Sequence, residues 1–467
     1  MMNLKKLITI IFLFIATQSL VAQQANEKIF SLDEFINIIK TNHPIAKQAN
    51  LQVQQSEAGL LAAKGNFDPS ISIDASKKTF DGKSYYNYFN PELKVPLPVG
   101  DIKTGVEDNG GGNLNSEFTP GRSSYFGIEL PLAKGLLLDK RRAALKQNKI
   151  FVQQSIQEQK QTINNLLFDA YVTYAKWTAD YQLYQLFSKY VNISNQRLHL
   201  LKIAERNGDK SVMDTLEAFT QLQNLQILQS NAQLNLLNSV LDISNYLWLE
   251  NNSAYALAEN VVPHTALFTD LNFSSDLSSY IDQALANHPL IKTYNFKLNV
   301  LDVERKLKIQ NLLPTLNTKV NLLNQDYAIF KGFDQAFFQN NNKWGIDFKM
   351  PLFLREGRGE LKRTKLKIEE TNLDLSLKKW ELENKIRSYY NEFVFVQQQL
   401  KTALQAYENY NKLYQNELLR FNNGESSLFV LNSRENKALE FYQKTVELRV
   451  KLFKARYAID NSAGLLQ

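Results

Sequence analysis

Residues 42–69 read NHPIAKQANLQVQQSEAGLLAAKGNFDP, and residues 287–314 read NHPLIKTYNFKLNVLDVERKLKIQNLLP. Asn42-His43-Pro44 thus returns as Asn287-His288-Pro289, and the stretch Asn66 to Pro69 returns as Asn311 to Pro314, both displaced by 245 residues. No insertion separates the two landmarks. Farther along, RAALK from Arg142 matches RGELK from Arg358, and Asn207-Gly208 matches Asn423-Gly424, now displaced by 216. The chain is one motif written twice. The 29 residues of difference fall between Pro69 and Arg142, where the first copy carries VGDIKTGVEDNGGGNLNSEFTPG (residues 99–121). That glycine-rich stretch is expected to be a long surface loop.

Proline and glycine divide each copy into two kinds of territory. All eleven prolines lie at or before Pro131 or between Pro263 and Pro351. From 136 to 262 the only glycine is Gly208, and from 360 to 463 the only one is Gly424. Breaker-free segments rich in Leu, Gln, Lys, Glu and Asn form long helices, each interrupted here by its one Asn-Gly turn. A three-four spacing runs through Leu167, Ala170, Tyr174, Trp177, Tyr181, Tyr184, Val191 and Leu198. The second copy repeats it through Ile386, Tyr390, Phe393, Leu400, Leu404, Tyr407, Tyr414 and Leu418. Both are coiled-coil seams, which a soluble helical bundle would also show. Helix length discriminates better. At ~1.5 Å per residue, Asp139 to Glu205 would span about 100 Å and the return from Ser211 to Trp248 only about 57 Å. The helix from Pro44 to Asn66 would add about 35 Å, so stacked on the return it nearly completes a second strut.

Between the prolines the period changes to two, the mark of β-strands. Ile71, Ile73 and Ala75 alternate with Ser72, Asp74 and Ser76, and Phe126, Ile128 and Leu130 are separated by Gly127 and Glu129. In the second copy Leu316, Thr318, Val320 and Leu322 alternate with Asn317, Lys319 and Asn321. Trp344, Ile346, Phe348 and Met350 alternate with Gly345, Asp347 and Lys349. Each copy is therefore expected to hold one strand pair, apolar on one face and polar on the other, as lipid outside and water inside require and as an amphipathic hairpin lying on a soluble core would also show. Tyr85, Tyr86, Tyr88 and Phe89, and Tyr327, Phe330 and Phe333, suit an interfacial aromatic girdle. Four strands cannot close a barrel whose smallest bacterial form has about eight, so other copies must contribute.

The N-terminal residues MMNLKKLITIIFLFIATQSLVAQQ place Lys5 and Lys6 before a short apolar run, with a cleavage point after Ala22. That is a secretory signal peptide, and its loss would take the formal net charge from +7 to +5. The absence of cysteine excludes disulfides, thiolate metal sites and a lipidated N-terminal Cys. Basic residues are interspersed with acidic ones, which leaves no nucleic-acid footprint. An enzyme finds little support either: His43 and His288 sit at equivalent turn positions, while His199 and His264 have no partner in the sequence. No metal or other cofactor is expected. Gly208-Asp209-Lys210-Ser211 only mimics the end of a phosphate loop.

This order of elements, with strand-to-helix junctions at PLAKGLLLDKRRA and PLFLREGRGELKR and hairpin tips at ERNGDKSVMDTLEA and FNNGESSLFVLNSREN, resembles the TolC-like outer-membrane efflux proteins across the mature chain. The fold class implied is mainly α with a membrane β-barrel portion: a homotrimer whose twelve-stranded outer-membrane barrel continues into a periplasmic coiled-coil tunnel. The expected divisions are a signal peptide at 1–22, a first repeat at 23–248 (strand pair about 69–131, hairpin about 139–248), an equatorial linker at 249–275, and a second repeat at 276–467 (strand pair about 314–351, hairpin about 358–463). The resemblance implies the exit duct of a tripartite efflux or type I secretion system in a Gram-negative outer membrane. A periplasmic adaptor and an inner-membrane transporter would supply cargo.

It also implies that acidic residues ring the periplasmic aperture, which here would be Asp209, Asp214, Glu217 and Glu425, although Val430 and Ser433 stand opposite Asp214 and Glu217 in the second copy. Asp214 and Glu217 could equally be first-turn carboxylates offsetting a helix dipole. Asn207, Gly208, Asn423 and Gly424 would form the tip turns where the adaptor docks. The rival from another class is a trimeric coiled-coil adhesin or envelope scaffold, which predicts one long unidirectional stalk.

Overall fold

The computed structural model describes residues 28–258, 260–268, 271, 273, 276–327 and 341–466. The signal peptide and the aromatics Phe330 and Phe333 lie outside the described residues. In chain order the elements are β1 (Lys28–Phe30), α1 (Leu32–Asn42), α2 (Pro44–Gly65), β2 (Ser70–Phe80), β3 (Lys83–Pro96), β4 (Asp101–Gly110), β5 (Gly121–Pro131), α3 (Lys140–Arg206) and α4 (Val212–Ser244). Then follow β6 (Val261–Pro263), a 3₁₀ turn (Thr265–Phe268), α5 (Leu277–Asn287), α6 (Pro289–Gln310), β7 (Thr315–Gln325), β8 (Asn342–Lys349), α7 (Arg355–Asn422) and α8 (Leu428–Ser462). The duplication is visible in the helix lengths: α2 and α6 have 22 residues each, α3 and α7 have 67 and 68, and α4 and α8 have 33 and 35. The chain packs as two units.

The first unit comprises the described residues of Met1–Gln48, Thr162–Gln283 and Glu383–Gln467. Its main core gathers Phe35 and Ile39 of α1, Leu167, Ala170, Tyr174 and Trp177 of α3, and Ile243 and Leu247 at the end of α4. Burying each of the larger side chains stabilises the fold by ~1.5–3 kcal/mol. Beside this core β1 pairs in parallel with β6. The buried Tyr174 hydroxyl ties them together, donating to the Phe30 carbonyl (2.5 Å) and accepting from the His264 N–H (3.1 Å). A second core joins Val191 and Leu198 of α3 to Leu222 and Leu225 of α4, Tyr414 of α7, and Leu428, Leu431 and Leu439 of α8. Of the seam positions read from the sequence, Leu167, Ala170, Tyr174, Trp177, Val191, Leu198, Ile386, Phe393 and Tyr414 are buried and the others are half-buried.

The Asn-His-Pro motifs are helix starts. Proline cannot donate a hydrogen bond and suits the first turn, and the preceding histidine caps it. His43 Nδ1 accepts from the Ile45 N–H (3.2 Å), as His288 Nδ1 accepts from the Leu290 N–H (3.1 Å). The His43 ring lies 5.6 Å from Tyr246 and 6.4 Å from Trp248, and Lys47 Nζ donates to Glu250 O (3.1 Å) and Asn252 Oδ1 (2.7 Å). The first turn of α2 therefore abuts the residues that follow α4, the junction anticipated from helix length.

The second unit comprises Ala49–Gln161 and Ala284–Leu382 and contains an antiparallel sheet in the order β2-β3-β4-β5-β7-β8. This corrects the sequence-based expectation. The first copy supplies four strands rather than two, the glycine-rich segment 99–121 provides β4 instead of only a loop, and the chain contributes six strands where four were expected. Proline and glycine read as breakers here, yet Pro91 pairs with Ile73 on β2 and falls where the β3–β4 ladder is interrupted, so its missing N–H is not required.

Burial holds the His43 imidazole below its usual pKa, against a weaker opposing hydrogen bond with the Asn245 backbone. A folded-state pKa below the unfolded value means that this stabilisation is full above about pH 6.5 and is lost as pH falls through the folded pKa. The thermal midpoint of the wild type should therefore decline on mild acidification. His43→Asn, which keeps a capping acceptor and does not titrate, should show a shallower decline in melts followed by circular dichroism, and equal slopes would remove His43 from the acid response.

Candidate functional site

The register of the six strands sorts their side chains onto two faces. One cross-strand row runs Ile71, Leu93, Thr104, Phe126 and Leu322; another runs Val95, Ile102, Ile128, Val320 and Trp344. Ile346 and Phe348 extend the same face along β8. These side chains run from half-buried at Val95, Ile102, Thr104 and Leu322 to 76% exposed at Ile71 and 70% at Trp344 on the edge strands. At roughly 25 cal/mol per Å² of apolar surface, a contiguous band of this kind is costly in water and marks an interaction surface.

The opposite face is built from charge. Lys103 lies 3.1 Å from Glu129 and 4.0 Å from Glu92, Lys94 lies 2.9 Å from Asp101, Asp101 also meets Arg141 at 2.7 Å, and Lys319 is 3.7 Å from Glu129. Tyr125 donates its hydroxyl to Glu92 at 2.6 Å. Opposite charges sit on adjacent strands, which is favourable pairwise and leaves a wettable surface. The expected aromatic girdle is divided. Tyr86 pairs with Lys78 and Tyr88 with Ser76 on the charged side, while Phe89 stays on the apolar side, opposite Ala75.

At the other functional candidate, the hairpin tips, Gly208 (φ +82°) and Gly424 (φ +77°) occupy the left-handed region. A β-carbon at either would meet nothing within 4 Å, so glycine is required by backbone conformation rather than by space. Each ends its helix with the same pair of bonds. The N–H of Gly208 donates to Glu205 O (2.9 Å) and that of Asp209 to Ala204 O (2.8 Å), while the N–H of Gly424 donates to Phe421 O (3.1 Å) and that of Glu425 to Arg420 O (2.8 Å). Asn207 and Asn423 precede these glycines as the last residues of the turn bonded back into the helix, to Ile203 O and Leu419 O.

The acidic residues at the tips separate into different roles. Asp214 is half of a capping box: its carboxylate accepts from the Ser211 N–H (3.1 Å) and hydroxyl (2.8 Å), while Ser211 Oγ accepts from the Asp214 N–H (3.2 Å). Ser427 caps α8 alone, because Val430 offers no carboxylate. Glu217 accepts from Asn432 Nδ2 on α8 (3.3 Å). Asp209 is exposed, and Glu425 lies 4.0 Å from Arg420. The turn and cap positions read from sequence are thus in place, but the four acids do not form one cluster.

Sequence reasoning missed the polar group just behind the tips. Arg197 of α3 and Glu435 of α8 form an ion pair at 2.6 Å while only 8% and 1% exposed. Arg197 also donates to Asn432 Oδ1 (3.3 Å), and Gln221 of α4 donates to Glu435 Oε1 (3.3 Å) and to Asn436 Oδ1 (2.8 Å). Burial opposes the charge on Arg197, but the Glu435 carboxylate outweighs it and holds the guanidinium above its usual pKa. Burial, reinforced by Glu435, pushes the neighbouring Tyr190 up to about 12. One signal was available: Glu435 stands at a seam position of α8, between Leu431 and Leu439 at four-residue spacing.

No protein-family model matches the chain, and no curated protein matches its sequence. Solved structures do match its fold. The outer-membrane channel MtrE of Neisseria gonorrhoeae, in its open state, aligns with a TM-score of 0.68 over 93% of this chain and 89% of that one, at 11% identity. The Campylobacter jejuni channel CmeC gives 0.65 over 93% and 86% at 14% identity, and the Vibrio cholerae outer-membrane protein VceC gives 0.63 over 93% and 96% at 13% identity. At such identities the likeness is one of fold. The chain has the fold of these outer-membrane channels, the TolC-like fold.

Removing one partner of a buried ion pair is costly, whereas replacing both by apolar groups is nearly neutral. Arg197→Met should destabilise the tip by about 3–5 kcal/mol and raise hydrogen exchange across residues 190–225 and 428–445. Arg197→Met combined with Glu435→Leu should recover most of the protection. Equal losses in the single and the double variant would show that the pair is not what fixes these helices.

Proposed function

We propose that three copies of this chain form an exit duct in the outer membrane of a Gram-negative bacterium. The observation that carries it is the two-faced six-stranded sheet, whose edge strands β2 and β8 pair with no further strand among the described residues, in a chain with the fold of outer-membrane channels. Backbone groups facing hydrocarbon must be satisfied, so a lipid-facing sheet has to close. Six strands are too few, since the smallest bacterial barrels have about eight. Strand direction alternates along the sheet, so β8 of one copy and β2 of the next would meet antiparallel. Three sheets would then make a barrel of eighteen strands, a size that leaves an aqueous channel. The charged face, with Lys94, Lys103, Glu92 and Glu129, would line that channel.

The helical hairpins are the part assigned to the periplasm. Each reverses at its glycine, unlike the single-direction stalk of an adhesin or scaffold, and their tips at Asn207-Gly208 and Asn423-Gly424 would present the docking surface for a periplasmic adaptor. An inner-membrane transporter would load the duct through that adaptor. Asp209 and Glu425 are the acids best placed to face an aperture, because Asp214 and Glu217 already serve the cap and the contact to Asn432. Export by the N-terminal signal and two structural repeats joined through the 249–275 linker complete the assignment.

Ser72 and Ile73 are adjacent on β2 and face opposite ways, Ser72 in the row of Glu92 and Ile73 on the apolar face. Ile73→Arg should lower the yield of membrane-assembled protein, consistent with ~2–4 kcal/mol for arginine near the bilayer midplane. Ser72→Arg should assemble and alter ion selectivity in planar-bilayer recordings. If both arginines are tolerated equally and the protein fractionates as soluble, the sheet is not in a membrane.

A further inference from the structure

The segment joining β4 to β5, residues 111–120, lies at the end of the sheet away from Pro69 and Pro131, where the strands connect to helices. It folds back over the charged face. Phe118 packs its ring 4.6 Å from the ring of Tyr88, which in turn stacks on Tyr86 at 4.9 Å. The Tyr88 hydroxyl accepts from the Asn115 N–H at 3.2 Å. Beyond these contacts the segment reaches β8, where Lys343 Nζ donates to the carboxylate and to the carbonyl of Glu117, both at 3.3 Å. Lys343 stands in the row of Lys103 and Asn321, on the charged face. Beneath the segment the buried Asn109 donates to Thr119 O at 3.3 Å.

A connection crossing from β3 to β8 over the face assigned to water is unlike a turn that merely closes a hairpin. Three aromatic rings in contact, Tyr86 stacked on Tyr88 and Phe118 tilted against it by 36°, need apolar cover on a face otherwise built from charge, and they supply it to one another. The exposed Lys343–Glu117 pair adds little energy but fixes where the segment lands.

We propose that residues 111–120 form an inward strap across the outer mouth of the duct, with Phe118 and Glu117 setting the size and charge of solutes that leave it. This rests on the duct assignment, since only a closed barrel makes the charged face a lumen.

The chain has no cysteine, so engineered thiols are unambiguous. In the full-length protein, Tyr88→Cys with Phe118→Cys should oxidise to an intrachain disulfide, seen as a mobility change reversed by reductant. In planar bilayers, replacing residues 112–118 by two glycines should raise single-channel conductance and admit larger neutral polyethylene glycols than the wild type admits. Failure of the disulfide to form would overturn the strap. So would a disulfide that forms while the shortened variant keeps wild-type conductance and polymer cut-off. A disulfide that forms in a protein showing no current in either version would instead overturn the duct, and with it any role for the strap in export.

Discussion

A β-sheet that turns one face to hydrocarbon cannot keep an open edge, because nothing in the bilayer core satisfies an unpaired N–H or carbonyl. The other features follow from that constraint. If the apolar rows from Ile71 to Leu322 and from Val95 to Trp344 face lipid, as proposed, the sheet has to close. Closure would take more strands than one chain supplies, and so would take other copies. Once the sheet closes, Lys94, Lys103, Glu92 and Glu129 line an enclosed aqueous space, and any segment lying on that face obstructs it. The mixed signs of those residues matter as well. A lumen of one sign would repel itself and bias every solute, whereas alternating pairs at 2.9–4.0 Å keep the wall wet and nearly neutral.

The helical unit obeys a different rule, with internal packing in place of lipid. Two of its cores are separate along α3, one around Tyr174 and Trp177 and one around Leu198. Arg197, Gln221, Asn432 and Glu435 place polar bonds among the tip helices, where an apolar seam alone would allow slippage by a turn. Buried ion pairs add little net stability compared with apolar packing but specify register well. The tip helices are thus held by geometry-dependent contacts.

Much of this was legible in the sequence because duplication measures itself. The Asn-His-Pro and Asn-Gly landmarks marked the helices, and the alternation of Ile71, Ile73, Phe126, Val320 and Trp344 marked the apolar face. β3 and β4 were hidden because Pro91, Gly100 and Gly105 punctuate them, and because DIKTGVEDNG carries few apolar residues to mark a period of two. The same blindness hid the strap: Tyr86 and Tyr88 look like interfacial aromatics until register puts them on the charged side. Asp214 was read both as an aperture acid and as a helix-start carboxylate, and the capping box with Ser211 gives it the second role. The Arg197–Glu435 pair joins residues more than two hundred positions apart, a distance that no local pattern spans.

The claim on which the rest stands is that β7 runs through a bilayer with its two faces in different solvents. Spin labels placed singly at residues 316–322, in protein reconstituted into lipid vesicles, report collisions with oxygen from the hydrocarbon and with a polar nickel chelate from water. Leu316, Thr318, Val320 and Leu322 should favour oxygen, while Asn317, Lys319 and Asn321 favour the chelate, giving a period of two along the strand. Uniform access to the chelate at all seven positions would mean that this sheet has water on both sides, and the protein would then be no outer-membrane duct.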